Sequence, residues 1–355
     1  MLNSLYIRNY RNLKELKIDS VSRINLITGK NNTGKSGVLE ALAIYKSNGE
    51  LITIKQLLEI RGETFQKTKA NNFFQAFSSL FIDNNTEKTI SIGNLNDDIT
   101  LRFVKYFDDI ERDDKGNIIS RKHVVLQDKN ENKFVTDKQG LEIKKSNLSW
   151  IVPFDRQFED IRINLKERNF QFIRANDIDR NINETLFDKI TLTPKENYVV
   201  EALKIIEPKT ERIAFIAEDN FQMRKAVIKL SDQENVIPLQ SMGDGINRIL
   251  SIILALVNAE NGFLLIDEFE NGLHYTVQEQ LWKIIFKLAK DLNVQVFATT
   301  HSNDCINSFS EVLNRNEYEV SGQMIRLDNV KGVIKPEIFT VKDLEIATRQ
   351  EIDIR

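Results

Sequence analysis

The stretch "LITGKNNTGKS", residues 26–36, joins an apolar run to a loop that contains two glycines, a lysine and a serine. It fits the pattern G-x-x-x-x-G-K-[ST] with Gly29, Gly34, Lys35 and Ser36. The preceding "RINLIT" predicts a strand, and the following "GKSGVLEALAIYK" predicts a helix with one apolar face. Backbone N–H groups of such a loop can surround phosphate oxygens, and the helix N-terminus attracts the same anion. We therefore predict a phosphate-binding loop rather than an ordinary surface loop.

Composition places the chain among ordinary globular proteins. It has 355 residues, 41 % of them hydrophobic and 28 % charged, which is ample for a buried core. The net charge of -3 lacks the basic excess of most DNA-binding proteins, so any DNA contact must come from a local patch. The one cysteine, Cys305, excludes an internal disulfide and fits a reducing compartment. No apolar run has the roughly 18 residues of a membrane span, so we expect a cytoplasmic protein without a membrane partner.

The two ends of the chain together predict one α/β layer. The runs "GFLLIDE" and "NVQVFATTHS" are apolar on both faces, which is typical of central strands in a parallel sheet covered by helices. Between the ends, residues 56–82 and 182–206 have helical spacing, and residues 88–152 have the short alternating runs of an antiparallel meander.

We accordingly expect one composite domain over residues 1–355. Its predicted parts are a nucleotide-binding core (1–50 and 236–305), an inserted β-rich and helical region (51–235) and a C-terminal extension (306–355).

A second motif, "FLLIDEFENGLH", places two carboxylates at the end of an apolar strand. Ligands of α/β sheets bind at the carboxyl ends of strands. Asp267 there could hold Mg²⁺, and Glu268 could orient and polarise an attacking water. The alternative is a strand that ends in a solvated acidic turn.

Two further motifs leave alternatives open. "FATTHS" places His301, one of three histidines, directly after an apolar strand, where it could be structural or could contact a γ-phosphate oxygen. "LQSMGDGINR" opens an apolar helix with a glycine pair. It is either an ordinary helix N-cap formed by Ser241 or Asp244, or a second anion site at a helix N-terminus.

Taken in order, these four motifs resemble those of ABC-type ATPases of the SMC/RecF/OLD group, and the opening "LYIRNYRNLKELKID" resembles the first hairpin of that group. The resemblance implies an α/β fold: an ABC-type P-loop ATPase head with a mainly parallel sheet flanked by helices, an N-terminal antiparallel β subdomain and a helical insertion. It implies ATP and Mg²⁺ as cofactors, and a head-to-head homodimer or higher homo-oligomer with ATP between the subunits. The implied nucleotide-binding residues are Gly29, Asn31, Asn32, Thr33, Gly34, Lys35, Ser36 and Gly37 of the Walker A loop, with Ser241 and Gly243 of the ABC signature.

The resemblance also assigns catalytic roles. Lys35, Glu268 and His301 would be catalytic, with His301 as the switch histidine. Ser36 and the Walker B residue Asp267 would hold the metal.

Departures from the family pattern narrow the expected class. Asp244 and Gln240 replace the glutamine and leucine of many signatures, and either Gln75 or Gln157 could serve as the Q-loop residue. The chain lacks the coiled coil of SMC proteins, and the 54 residues after His301 are too few for a TOPRIM nuclease domain.

The leading hypothesis is therefore an OLD-like ATPase without a nuclease domain. It would act as an ATP-gated switch on a separate effector, a TOPRIM-type nuclease or a toxin, in anti-phage defence or a toxin–antitoxin-like pair. The alternatives are a RecF-like DNA-binding repair ATPase and a weakly hydrolysing ATP-gated scaffold.

Overall fold

A computed structural model describes residues 1–63, 71–94, 96–126, 138–154, 169–175, 180–217, 224–350, 352 and 354–355. The strands in these ranges are β1 (Leu5–Tyr10), β2 (Leu13–Ile18), β3 (Ile24–Thr28), β4 (Ile90–Gly93), β5 (Asp98–Arg112), β6 (Ile118–Val125), β7 (Lys138–Lys145), β8 (Leu148–Pro153), β9 (Phe170–Ile173), β10 (Thr210–Ala217), β11 (Arg224–Leu230), β12 (Ile237–Pro238), β13 (Phe263–Ile266), β14 (Gln295–Thr299), β15 (Gly322–Val330) and β16 (Val333–Phe339). The helices are α1 (Lys35–Lys46), α2 (Leu51–Ile60), α3 (Asn71–Ser78), α4 (Arg180–Asp188), α5 (Lys195–Ile206), α6 (Asp244–Asn258), α7 (Tyr275–Asp291), α8 (Asn303–Arg315) and α9 (Val341–Arg349). In these ranges, no helix combines the length and apolar character needed to cross a bilayer.

A six-stranded sheet positions the phosphate-binding loop. Its strand order is β16-β15-β3-β14-β13-β9, and the pairings are parallel except for that of β15 with β16. Every residue of β3, β13 and β14 is buried. This accounts for the apolar residues on both faces of these strands, because helices or a second sheet cover each side.

The other two sheets in the described ranges are antiparallel, so parallel pairing in these ranges is confined to the six-stranded sheet. The hairpin β1-β2 joins the meander in one seven-stranded sheet of order β2-β1-β4-β5-β7-β8, with β6 paired to β5. Strands β10, β11 and β12 form a separate small sheet. The N-terminal hairpin and the predicted meander are thus parts of one layer.

Helix α1 lies between the two large sheets. Side chains on one face of the six-stranded sheet, such as Leu265 and Phe297, share a hydrophobic core with α1 and the antiparallel sheet. Side chains on the opposite face, such as Leu264 and Ala298, form a second core with helices α4–α8. The phosphate-binding loop therefore leads into a helix that is enclosed on both sides.

Three strands of the six-stranded sheet, β9, β15 and β16, come from outside the ranges predicted as the nucleotide-binding core. Strand β9 belongs to the predicted insertion and pairs with β13, and β15 belongs to the predicted C-terminal extension and pairs with β3. The predicted helical stretch 56–82 contains the end of α2 and all of α3. The nucleotide-binding sheet is consequently wider than the motifs alone indicate.

Candidate active site

The glycines of the loop between β3 and α1 occupy positions that other residues cannot. Gly29 has φ +139° and Gly34 has φ +86°, both in the region that favours glycine. A Cβ on Gly29 would lie 2.4 Å from the carbonyl oxygen of Leu327, and one on Gly34 would lie 2.7 Å from Leu13 Cδ2. The loop therefore packs against β15 and the β1-β2 turn, and its shape depends on both glycines.

Lys35 folds back across this loop. Its Nζ donates hydrogen bonds to the carbonyl oxygens of Gly29 at 2.8 Å and Lys30 at 2.9 Å, and only 6 % of the residue is exposed. Burial lowers the pKa of Lys35, and the carboxylate of Asp267 foremost among its neighbours opposes that shift. The ammonium group is thus held inside the loop, where phosphate oxygens could replace the two carbonyl acceptors.

Asp267 joins the loop to the ends of two strands. Its Oδ1 accepts hydrogen bonds from Ser36 Oγ at 3.0 Å and from Thr299 Oγ1 at 2.6 Å. The same Thr299 hydroxyl accepts a hydrogen bond from the backbone N–H of Glu268 at 2.9 Å. The predicted residues Ser36, Asp267 and Glu268 are therefore adjacent, which the solvated-turn alternative does not require.

The turn after β13 is also held from helix α6. Glu268 has φ +48°, a left-handed conformation that is uncommon outside glycine. The buried Arg248 donates from Nη2 to the carbonyl oxygen of Asp267 at 2.9 Å and from Nη1 to that of Arg174 at 2.6 Å. These bonds fix the backbone of the turn, and therefore the direction of the Glu268 side chain.

His301 follows β14 on the loop next to this turn. Glu270 accepts hydrogen bonds at Oε2 from the Thr300 hydroxyl, at 2.8 Å, and at Oε1 from the His301 backbone N–H, at 2.7 Å. The other two histidines have local partners. His274 caps α7 by accepting from the Thr276 N–H, and His123 on β6 lies 2.7 Å from Asp108.

The glycine pair of the fourth motif lies at the start of α6, with Gly243 before the helix and Gly245 in its first turn. Ser241 is exposed, and its hydroxyl donates to the carbonyl oxygen of Pro238 at 2.7 Å. Gly243, with φ +104°, occupies the N-cap position, and a glycine has no side chain with which to cap the helix. Of the alternatives left open for this motif, a cap formed by Ser241 does not occur, because its hydroxyl bonds backwards into the preceding turn.

The site contains functional candidates that the motifs did not single out: Thr299, Thr300, Glu270, Arg248 and Asn12, whose Nδ2 donates to the Asn32 carbonyl oxygen at 3.1 Å. The first four lie inside the quoted motifs and Asn12 lies inside the opening hairpin, and this is the signal the sequence offered. Of the two Q-loop candidates, Gln75 is exposed on α3 and Gln157 lies outside the described residues.

The donor atoms around Ser36 fit Mg²⁺. A hydroxyl and a carboxylate oxygen lie 3.0 Å apart, and Mg²⁺ prefers oxygen ligands, with substrate phosphates and waters completing its shell. Across the part of the chain that the structure describes, no group of three or more His, Cys, Asp or Glu side chains could hold a metal alone. Ser36 and Asp267 are thus suited to a metal that arrives with a nucleotide.

A model of the AAA ATPase domain family matches residues 1–306. The chain belongs to this family. An "ATP/GTP phosphatase" of Helicobacter pylori is 26 % identical over 368 residues, which cover 97 % of each chain. The family and this relative identify the chain as an ATP hydrolase and a nucleotide-binding protein.

Solved structures share the fold. An SMC head bound to the C-terminal winged-helix domain of ScpA has a TM-score of 0.51 at 12 % identity and covers 98 % of this chain and 99 % of its own. A Pyrococcus furiosus SMC head bound to the C-terminal domain of ScpA has a TM-score of 0.52 at 11 % identity and covers 99 % of each. This AAA ATPase therefore has the fold of SMC heads.

Proposed function

We propose that this AAA ATPase uses Mg²⁺-dependent ATP hydrolysis to switch a separate effector protein between two states. The observation that carries the proposal is the junction at Asp267. One carboxylate oxygen accepts hydrogen bonds from Ser36 of the phosphate-binding loop and from Thr299 at the end of the strand that leads to His301. Groups for binding a nucleotide and for activating water therefore converge from three strands.

Each residue at this junction has a distinct role in the proposed reaction. The loop from Gly29 to Gly37 surrounds the phosphates with backbone N–H groups, and Lys35 pairs with the β- and γ-phosphates. Ser36 and Asp267 would hold Mg²⁺, which would neutralise charge on the phosphate oxygens. Glu268 orients the attacking water and accepts its proton, and His301 donates a hydrogen bond to the γ-phosphate.

The exposed start of α6 supports an ATP-dependent dimer. Ser241 is exposed and Gly243 occupies the N-cap position of α6, and a helix N-terminus can bind the nucleotide of a second subunit. The same helix carries Arg248, which hydrogen-bonds the carbonyl of Asp267. When α6 binds the ATP of the other subunit, the effect would therefore be transmitted through Arg248 to the turn after β13 in the subunit that contains this α6.

Closure of the dimer would move the surfaces around residues 182–210 and 306–355 relative to each other. An effector that binds the closed and open states with different affinity is then coupled to ATP. We propose a TOPRIM-type nuclease or a toxin as this effector, in cytoplasmic anti-phage defence or a toxin–antitoxin-like pair. Structurally similar SMC heads bound to parts of ScpA provide a precedent for a head that holds another protein.

The variant Glu268→Gln tests the switch. We expect turnover to fall by about 10²- to 10⁴-fold, because an amide cannot accept the water's proton. ATP binding should persist, so the variant should run as a dimer in size-exclusion chromatography with light scattering when ATP is present, and should retain the effector in pull-downs from the host. Glu260→Gln is a matched control, since Glu260 pairs with Lys195 on the surface.

Unchanged turnover in Glu268→Gln would contradict the assignment of the water-orienting carboxylate. A partner set that is indifferent to ATP would contradict the switch. Stimulation of the wild-type ATPase by DNA, without a protein partner, would favour the RecF-like alternative.

A further inference from the structure

We propose that Glu270 is a positioning residue for ATP hydrolysis, which sets the loop of His301 so that the imidazole faces the γ-phosphate. The inference rests on the proposed role of His301 and adds a residue that the motif assignments leave without a role. Glu270 lies two positions after Glu268, in the turn that follows β13, whereas His301 follows the neighbouring strand β14. Its side chain crosses from one loop to the other.

The carboxylate holds two consecutive residues at once. Oε1 accepts the His301 backbone N–H at 2.7 Å, and Oε2 accepts the Thr300 hydroxyl at 2.8 Å. Thr300 is fully buried, and its own N–H donates to the carbonyl oxygen of Ile27 at 3.0 Å. Since Ile27 lies at the end of β3, directly before the phosphate-binding loop, the backbone of His301 is fixed relative to both the catalytic turn and that loop.

The same carboxylate orders the far side of the loop. While it donates to Glu270, the Thr300 hydroxyl accepts the Ser302 N–H at 3.0 Å, and Ser302 caps α8 by accepting the Cys305 N–H at 3.3 Å. Residues 300–302 are therefore held from the turn after β13 up to the first turn of α8. Loss of the Glu270 carboxylate would release His301 on both of its flanks.

Only an ionised carboxylate can serve both donors. It presents an acceptor at each oxygen, whereas a glutamine amide would present N–H groups to one of the two donors. The negative charge also lies close enough to Lys35 to oppose, with those of Asp267 and Glu268, the lowering of its pKa by burial. It must therefore repel the phosphates of ATP. Glu270 should for this reason contribute to turnover and not to ATP affinity, which separates it from a residue that only stabilises the fold.

The test is a double-mutant cycle between Glu270→Gln and His301→Ala, with single-turnover rates of ATP hydrolysis and ATP affinity by calorimetry. Glu270→Gln should lower the rate by about tenfold or more, as expected when a positioned group is misplaced, and ATP should bind as tightly as to the wild type or more tightly. In the His301→Ala background, the same substitution should change the rate by less than about twofold, because residues that act as a unit are not additive. Glu319→Gln serves as the control, since Glu319 pairs with Lys290 on the surface.

The outcomes distinguish this inference from the proposed function on which it rests. The inference is overturned if the double variant loses rate by the product of the two single-variant factors. It is also overturned if Glu270→Gln loses ATP affinity by the same factor as rate. A wild-type rate in Glu270→Gln would overturn it as well. If His301→Ala itself turned over ATP at the wild-type rate, the assigned role of His301 would fail first.

Discussion

The hydroxyl of Thr299, at the end of β14, hydrogen-bonds to both residues that follow β13, Asp267 and Glu268. Thr299 is 1 % exposed, and its Oγ1 both donates to the Asp267 carboxylate at 2.6 Å and accepts the Glu268 N–H at 2.9 Å. We expect Thr299→Val, which keeps the shape and removes the hydroxyl, to reduce both the stability of the fold and the turnover of ATP.

The magnitude follows from the two hydrogen bonds. A bond to a charged group contributes about 1.5–3 kcal/mol and a neutral one about 1 kcal/mol. Because Asp267 and Glu268 are half-buried, water can replace part of the loss. We therefore expect the free energy of unfolding to fall by roughly 2–3 kcal/mol. Glu268 has a left-handed backbone, which costs about 1–3 kcal/mol and persists only where its surroundings enforce it, so turnover should fall tenfold or more.

Urea unfolding, followed by the fluorescence of the buried Trp282, measures the change in stability. The control is Thr299→Ser, which retains the hydroxyl and loses one methyl group, at a cost of about 1 kcal/mol. If the valine variant unfolds at the same urea concentration as the serine variant and hydrolyses ATP at the wild-type rate, the hydroxyl does not stabilise the turn after β13.

Two further perturbations test the phosphate-binding loop. Gly34→Ala should abolish tight ATP binding in calorimetry, because φ is +86° and the new Cβ would lie 2.7 Å from Leu13 Cδ2. The control Gly62→Ala, at φ +69° with open space around it, should keep wild-type affinity. Equal ATP affinities of the two variants would show that the loop tolerates a side chain at position 34. Because burial lowers the pKa of Lys35 below the ordinary 10.5, the free protein should gain stability as the pH rises from that lowered pKa towards 10.5, while ATP affinity falls over the same interval. Thermal unfolding measures the change in stability and calorimetry measures the change in ATP affinity, both at alkaline pH. The control Lys35→Ala should bind no ATP and should lack the pH dependence of stability. If the ATP affinity of the wild type stays constant up to pH 10.5, the proposed role of Lys35 is contradicted.

Local patterns predicted the elements that carry the chemistry. The apolar strand, glycine loop and amphipathic helix around Lys35 are each encoded by adjacent residues, and so is the strand that ends in Asp267. Strand β9 has only four residues and lies among segments with no clear period, so its place beside β13 depends on the tertiary structure. Strand β15 pairs in parallel with β3, a partner that hydrophobic periodicity cannot identify.

Long-range hydrogen bonds could not be predicted from the sequence for a different reason. Glu270 and Thr300 are 30 positions apart, and either residue alone resembles an ordinary surface acid or a strand-end threonine. The sequence left a helix cap by Ser241 open, because serine before a helix can bond forwards as a cap or backwards into a turn, and the local pattern is the same. A role that depends on contact between two loops can be assigned only from the three-dimensional structure.

The neighbours of β3 determine when the protein can first hold a nucleotide during synthesis. Asn25 of β3 hydrogen-bonds to Val296, 271 residues later, and the strand on its other side, β15, leaves the ribosome later still. At about 5–20 residues per second, the ribosome needs roughly 15–60 s to make that intervening length. During this interval the glycine loop exists as a sequence but lacks the strands that shape it. Bound ATP can therefore stabilise the complete fold against unfolding, but it cannot assist the folding of the growing chain.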